Sequence, residues 1–167
     1  MQHAIIDKPF PYAEVEERLC RAVRHFNDAE RGLLTQDPNE RSLTAKFAAY
    51  VQVEFAEWDV DCEYNRDGYY PKRLQLPVES VRSDDTQART VFPDIIVHQR
   101  GHPSNLLVLE AKKAHTANGG LRDRVKLQAF LRQLEYRFGA MLTFRTRGPD
   151  LHLEPPEFVI DDGAEVH

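Results

Sequence analysis

The chain has 167 residues, 41% of them hydrophobic and 29% charged, with a formal net charge of −5. That length supports one domain with a sizeable core, and the composition is that of a soluble globular protein rather than a disordered or fibrous one. No apolar run approaches the roughly 20 residues of a membrane span. The opening MQHAIIDKPFPY lacks the basic head and long apolar stretch of a signal peptide, so a cytoplasmic protein without a membrane partner is expected. Cys20 and Cys62 are too few and too isolated for a disulfide framework or a zinc site. They are expected as reduced, half-buried thiols, with a single disulfide as the alternative.

The first element in chain order is a helix over Tyr12 to Arg31. Val15, Leu19, Val23 and Phe26 recur at helical spacing, and Gly32 suits a C-terminal cap. Its remaining positions are mostly charged, so it is expected on the outside of the core. A second helix should start at Asp37-Pro38-Asn39-Glu40, with Asp37 as cap and Glu40 at capping-box spacing. It should run to about Glu57 and bury Leu43, Phe47, Val51 and Phe55. Glu40 lies close in angle to that stripe. It reads either as a cap residue or as a carboxylate leaning toward a metal site.

Residues 59–65 alternate, with Val60, Cys62 and Tyr64 against Asp61 and Glu63, as a half-exposed strand does. A turn at Arg66-Asp67-Gly68, a short strand from Lys72 to Leu76 and a polar surface loop from Val78 to Thr90 follow. The next stretch, Val91 to Lys113, has two apolar runs, Ile95-Ile96-Val97 and Leu106-Leu107-Val108-Leu109, around a turn-like Arg100 to Asn105. This is the pattern of a buried hairpin. If it folds about His102, residue 98 faces 106, residue 96 faces 108, and Asp94 faces Glu110. Glu110 and Lys112 then share one face of their strand. Facing carboxylates repel each other, and a cation is the simplest remedy. A one-residue slip would separate them. His98 and His102, which flank the turn, read as surface or capping residues rather than ligands.

A third helix is expected from Leu121 to Phe138, with Leu127, Leu131, Leu134 and Phe138 inward. Gly139 should end it, and a strand should run from Ala140 to Thr146. The tail is acidic and contains Pro149, Pro155 and Pro156, with Phe158-Val159-Ile160 as a candidate edge strand. The domain scheme is thus a single unit over 1–167: helix and linker at 12–36, core at 37–146, acidic extension at 147–167. The fold class is α/β, a mixed sheet flanked by helices. Charge is unevenly spread. Residues 1–63 carry 7 Lys/Arg against 13 Asp/Glu, residues 64–149 carry 15 against 8, and residues 150–167 none against 6. The basic block contains the hairpin, and such a local field is what a polyanion meets; a solvated charged surface is the plain alternative.

There is no phosphate-binding G-x-x-x-x-G-K-[ST], no G-x-G-x-x-G after a strand, no G-x-S-x-G and no H-E-x-x-H. What remains is Pro93-Asp94, fifteen residues, then Glu110-Ala111-Lys112. With the predicted order of elements, this resembles the PD-(D/E)XK nuclease superfamily, whose restriction-endonuclease-like fold has an αβββαβ core. The resemblance covers roughly Asp37 to Thr146, with an extra N-terminal helix. Cys62 to Arg66 and Asn105 to Lys113 also look like a group of small bacterial members of that superfamily.

The resemblance implies a nuclease that hydrolyses phosphodiester bonds, DNA being the expected substrate, with Mg²⁺ or Mn²⁺ as cofactor. Asp94 and Glu110, joined by the backbone carbonyl of Ala111, would bind the ion. Lys112 would sit beside the attacking water and the scissile phosphate, and Glu40 matches a helix acid that adds a further contact. Lys113, Arg122, Arg124 and Lys126 are candidates for backbone phosphates. Gln128, ahead of Gln133 and Tyr136, is a candidate auxiliary group. A chain of this size would be nonspecific, form a homodimer or depend on a targeting partner. Two other readings stand beside the enzyme: a noncatalytic nucleic-acid- or protein-binding module on the same fold, and a structural or regulatory domain. In those, Glu110, Lys112 and Lys113 are strand-exit charges and Asp94 a turn cap.

Overall fold

A computed structural model describes residues 10–63, 66–67, 70–71, 73–74, 89–90, 92–116 and 119–159. Helix α1 spans Tyr12–Ala29 and buries Val15, Leu19, Ala22, Val23 and Phe26. As expected, its charged face stays largely exposed, and its apolar stripe builds, with the later helix α3, the larger of two cores, where Phe26 meets Phe47 and Phe144 edge-on at centroid distances of 5.6 and 5.7 Å. Gly32 does not cap it. The helix breaks at Glu30, and Gly32 lies inside a one-turn helix α2, Arg31–Thr35.

Helix α3, Glu40–Glu54, is capped by Asn39, whose side chain accepts the Ser42 N–H at 2.8 Å. The expected cap, Asp37, is displaced two residues upstream with φ of 46°. Glu40 is therefore the first helical residue, not the third, and has no capping-box role. The helix stops at Glu54, three residues short of expectation, and Phe55 and Trp58 are buried beyond it.

The strands are β1 (Asp59–Cys62), β2 (Arg66–Asp67), β3 (Tyr70–Pro71), β4 (Arg73–Leu74), β5 (Arg89–Thr90), β6 (Ile95–His98) and β7 (Asn105–Lys113). Helix α4 (Gly119–Gln133) follows, then β8 (Phe138–Arg145), β9 (His152–Leu153) and β10 (Glu157–Val159). The main sheet runs β1-β6-β7-β8-β10, with β9 also on β8. β7 and β8 are parallel and joined through α4; the other pairings are antiparallel. β2 pairs with β3 and β4 with β5 as separate two-stranded pieces. The fold is α/β, a curled mixed sheet between helices. Expectations for Tyr64, Asn65, Gly68, Lys72, most of the 78–90 loop and Ile160 fall outside the described residues. No described helix is long and apolar enough to cross a membrane.

The hairpin register matches expectation over its core: Ile95 pairs with Leu109, Ile96 with Val108 and Val97 with Leu107. A bulge between Val97 and His98 then puts His98 opposite Asn105, not Leu106. Alternation divides the side chains between two cores. Ile95, Val97, Leu107, Leu109 and Ala111 face α1 and α3, while Ile96 and Val108 join Leu127 and Phe130 of α4. His98, expected at the surface, is 3% exposed and paired to Asp61.

Helix α4 ends five residues earlier than its apolar spacing suggests. Glu135 turns the chain with φ of 53°, and the Asn105 side chain donates to the Leu134 carbonyl at 2.8 Å. Gly139 belongs to β8, where α4 crosses closely; a Cβ there would lie 3.6 Å from Leu127, Leu131 and Val108. Leu127 and Phe130 form the buried face, and Leu131 and Leu134 only flank it.

Candidate functional site

Strand β7 outruns β6. Its pairing with β8 continues to Lys113, whereas its last β6 partner is at Leu109. The overhang leaves the β6-side N–H groups of Ala111 and Lys113 without a strand partner, and buried backbone donors need one. Two carboxylates fill the gap. Asp94 Oδ2 accepts from the Ala111 N–H at 2.7 Å, and Glu40 Oε2 from the Lys113 N–H at 3.3 Å. A residue's N–H and C=O leave a strand on the same side, so the Ala111 carbonyl also faces the Asp94 edge.

Continuing the ladder by one step sets Asp94 opposite Glu110, on the face toward α4. Glu110 is 4% exposed. Its Oε2 accepts from Lys126 Nζ at 2.9 Å, while its Oε1 is buried with no hydrogen-bond partner. Burial and the Asp94 charge push Glu110 up to about 8, against the pull of Lys126. Asp94 is raised by burial, opposed by the Ala111 N–H, by Lys126 and by the Glu110 carboxyl, which can donate to it when protonated. Glu40 is raised by burial and by Asp94.

A fourth acid, Asp123 on α4, joins them. Burial raises it, Lys126 opposes this, and Asp94 adds to it. Asp123 lies outside the set Leu127, Leu131, Leu134 and Phe138 that apolar spacing marks as inward. Its signal was spacing: Asp123, Lys126, Leu127 and Phe130 fall at i, i+3, i+4 and i+7, one face of a helix, and that face is inward. Lys112 shares the neighbourhood. Its Nζ would lie only 3.0 Å from a Cβ built on Gly120, so the ammonium rests against the first turn of α4.

The remaining predicted residues are placed differently. Lys113 is bound to Asp37, Nζ to Oδ1 at 2.6 Å, with a side chain 12% exposed, which ties β7 to the start of α3 rather than offering a charge to a substrate. Asp37 also accepts from Thr146 and Arg147, and these three donors hold its carboxyl well below the usual range. Lys126 points inward to Glu110. Arg124 pairs with Glu157, and Arg122 is exposed. Gln128 is half-buried two residues past Lys126, hence about 200° round the helix and turned from Glu110. Gln133 is exposed, and Tyr136 packs on Phe130 beyond the helix end.

A cavity of about 310 Å³ opens on the α3 side, lined by Glu40, Arg41, Thr44, Ala45, Cys62, Glu63 and Asp94. Arg41 closes part of its rim through an ion pair to Glu63 at 2.8 Å. Cys62 is free and exposed, and burial of its thiol and the neighbouring acids push it up, which keeps it protonated. Asp94 is thus shared between this cavity and the Glu110 cluster.

Among the described residues, no three His, Cys, Asp or Glu side chains form a group able to hold a metal ion. The smaller set, Asp94, Glu110 and the Ala111 carbonyl, is all hard oxygen, and one of its atoms is a buried carboxylate oxygen with no partner. That chemistry fits a hard divalent cation that keeps several waters. No family model matches the chain, and no curated protein or solved structure matches it.

Proposed function

We propose that the protein is a Mg²⁺- or Mn²⁺-dependent nuclease of the PD-(D/E)XK type that hydrolyses phosphodiester bonds, with DNA as the expected substrate. The observation that carries this is Glu110 Oε1: a carboxylate oxygen buried at 4% residue exposure, unpartnered, opposite a second carboxylate. Ionised and unpartnered, such an atom costs several kcal/mol, roughly; a proton relieves it, which is why the carboxyl is raised to about 8, and a cation that displaces the proton relieves it equally. Asp94, Glu110 and the Ala111 carbonyl would hold the ion. When bound, it would polarise a phosphoryl oxygen and lower the pKa of a coordinated water.

The chain's own groups do the rest. Lys112 rests against the N-terminal turn of α4, whose backbone N–H groups and dipole favour an anion. A phosphate there meets an ammonium and a helix N-terminus together, and charge building on it is offset. Glu40 and Asp94 fix the β7 edge, which keeps the Ala111 carbonyl turned to the site.

The test is cleavage of fluorescently labelled single- and double-stranded DNA and RNA with Mg²⁺ or Mn²⁺, comparing wild type with Asp94→Ala. Divalent-dependent cleavage lost in the variant is expected; cleavage that persists removes the assignment. A second reading is favoured by one observation: Asp94 and Glu40 already cap the overhanging edge of β7, a structural job. On that reading the chain is a binding module, and it binds nucleic acid while cutting nothing under any divalent ion.

A further inference from the structure

Lys126 carries a role that the charge pattern does not suggest. As a basic residue on an amphipathic helix it would be expected to reach outward for a phosphate. Instead its side chain is 25% exposed and is held from three directions. Its Nζ lies 2.9 Å from Glu110 Oε2 and 3.3 Å from the Phe92 carbonyl, and stands over the Phe130 ring at 5.9 Å from the centroid. These partners belong to different parts of the fold. Glu110 is on β7, Phe130 is on α4, and Phe92 lies two residues before Asp94. One ammonium therefore links the carboxylate of Glu110 to the backbone that delivers Asp94.

The link divides the two oxygens of Glu110. Oε2 is taken by Lys126, and Oε1 is left buried and without a partner. A lysine serving as a stand-in for a missing ion would be expected to occupy the space between the carboxylates and satisfy both. A carboxylate has about four lone-pair sites, so an ion on Oε1 and an ammonium on Oε2 are compatible. We propose that Lys126 is a positioning residue for a divalent-cation site: it grips Glu110 Oε2 and the Phe92 carbonyl, fixing the spacing of Asp94 and Glu110 and presenting Oε1 as the donor. This rests on the cation reading of Asp94 and Glu110. It departs from that reading's phosphate contact for Lys126, since the ammonium stays on Glu110 while the ion is bound.

The experiment is Mn²⁺ titration, followed by the spin-resonance signal of the free ion, on wild type, Lys126→Met and Asp94→Asn. Melting temperatures are recorded without metal. Methionine keeps the apolar stem against Phe130 and deletes the ammonium. Loss of a group that orients a metal ligand typically weakens affinity by about 10–100-fold, and that loss is expected for Lys126→Met. A purely structural role would lower the melting temperature and leave Mn²⁺ affinity of the folded fraction unchanged, which overturns the proposal. Tighter Mn²⁺ binding also overturns it, because Lys126 would then compete with the ion. Wild type that binds no Mn²⁺ and behaves as Asp94→Asn removes the cation reading itself, and this proposal with it. The unaltered protein gives an independent measurement should Lys126→Met not fold. The ¹⁵N resonance of the Lys126 ammonium should stay in its slow-exchanging, bound state at saturating Mg²⁺, and its release to solvent overturns the proposal.

Discussion

Acids gather at both ends of the β6–β7 hairpin, from β1 at the turn end and from the hairpin and two helices at the open end, and the two ends treat them in opposite ways. At the turn end, Asp61 Oδ2 meets His98 Nε2 at 2.7 Å and Arg100 Nε at 2.9 Å, and the Arg100 N–H donates to Asp59 at 2.9 Å. Burial pushes Asp61 up, but Arg100 and His98 outweigh it and hold the carboxyl below its ordinary range. At the open end Glu40, Asp94, Glu110 and Asp123 are all raised. Their cationic neighbours are Lys126, Lys112, the exposed Arg122 and Lys113, whose ammonium is already claimed by Asp37. One cluster is complete as it stands. The other has more buried negative charge than its side chains compensate, so it is the one that calls for a ligand.

The sharpest way to break this contrast is to neutralise each end. If the proposed nuclease reading holds, Glu110→Gln should reduce cleavage by about 10³-fold, about 4 kcal/mol in the barrier, while leaving the metal-free melting temperature unchanged near neutral pH and higher at alkaline pH, where a repelling charge is removed. A large fall in melting temperature would mean that Glu110 holds the fold as Asp61 does. Asp61→Ala should do the reverse. It should cost roughly 2–3 kcal/mol in urea unfolding, less than a fully buried pair because the Asp61 side chain is 15% exposed, and leave the rate per folded molecule unchanged.

pH separates the ends by sign. Glu110 is raised from its ordinary 4.5 to about 8, so the folded state holds its proton longer than the unfolded chain does. Its contribution is most favourable below about 4.5 and is lost as pH rises toward about 8. Asp61 is lowered from 3.8, so its contribution is present above that value and is lost as pH falls through the lower folded value. Metal-free unfolding free energy should therefore fall toward alkaline pH in wild type and less so in Glu110→Gln. Saturating Mg²⁺ should flatten the same slope. If the slope survives in full in Glu110→Gln, Glu110 is not the carboxylate that sets it, and Asp94, Glu40 and Asp123 are the raised groups left to carry it.

The sequence made the hairpin legible because apolar alternation and register are local. Ile96 opposite Val108 follows from the turn and carries Asp94 to Glu110. The bulge at His98 was not legible, since it depends on Asp61 waiting on the neighbouring strand. The cap of α3 departs from its local signal for a similar reason: Asp37 has cap chemistry, but Lys113, Thr146 and Arg147 from distant segments claim it, and Asn39 caps instead. Lys126 and Asp123 are charged, and charge on a helix usually faces outward. Their inward turn is set by the crossing of α4 over β7, which no local pattern encodes.

The smallest expected effect tests the place of Lys112. Gly120→Ala puts a Cβ where the Lys112 ammonium now lies, 3.0 Å away. The obstacle is the far end of a flexible side chain, so the fold can yield by moving the lysine. Alanine also favours helix over glycine by up to about 1 kcal/mol, less in a first turn. Metal-free stability should be unchanged or slightly raised, and Mn²⁺ affinity should stay within about twofold, because Asp94 and Glu110 are untouched. If the proposed nuclease reading holds, cleavage should nonetheless fall about tenfold, since a charge displaced by about an ångström would no longer meet the phosphate as that reading requires. A rate that does not move, with the lysine shown to have shifted, would detach Lys112 from the chemistry and leave the open cluster a cation site without its cleavage partner.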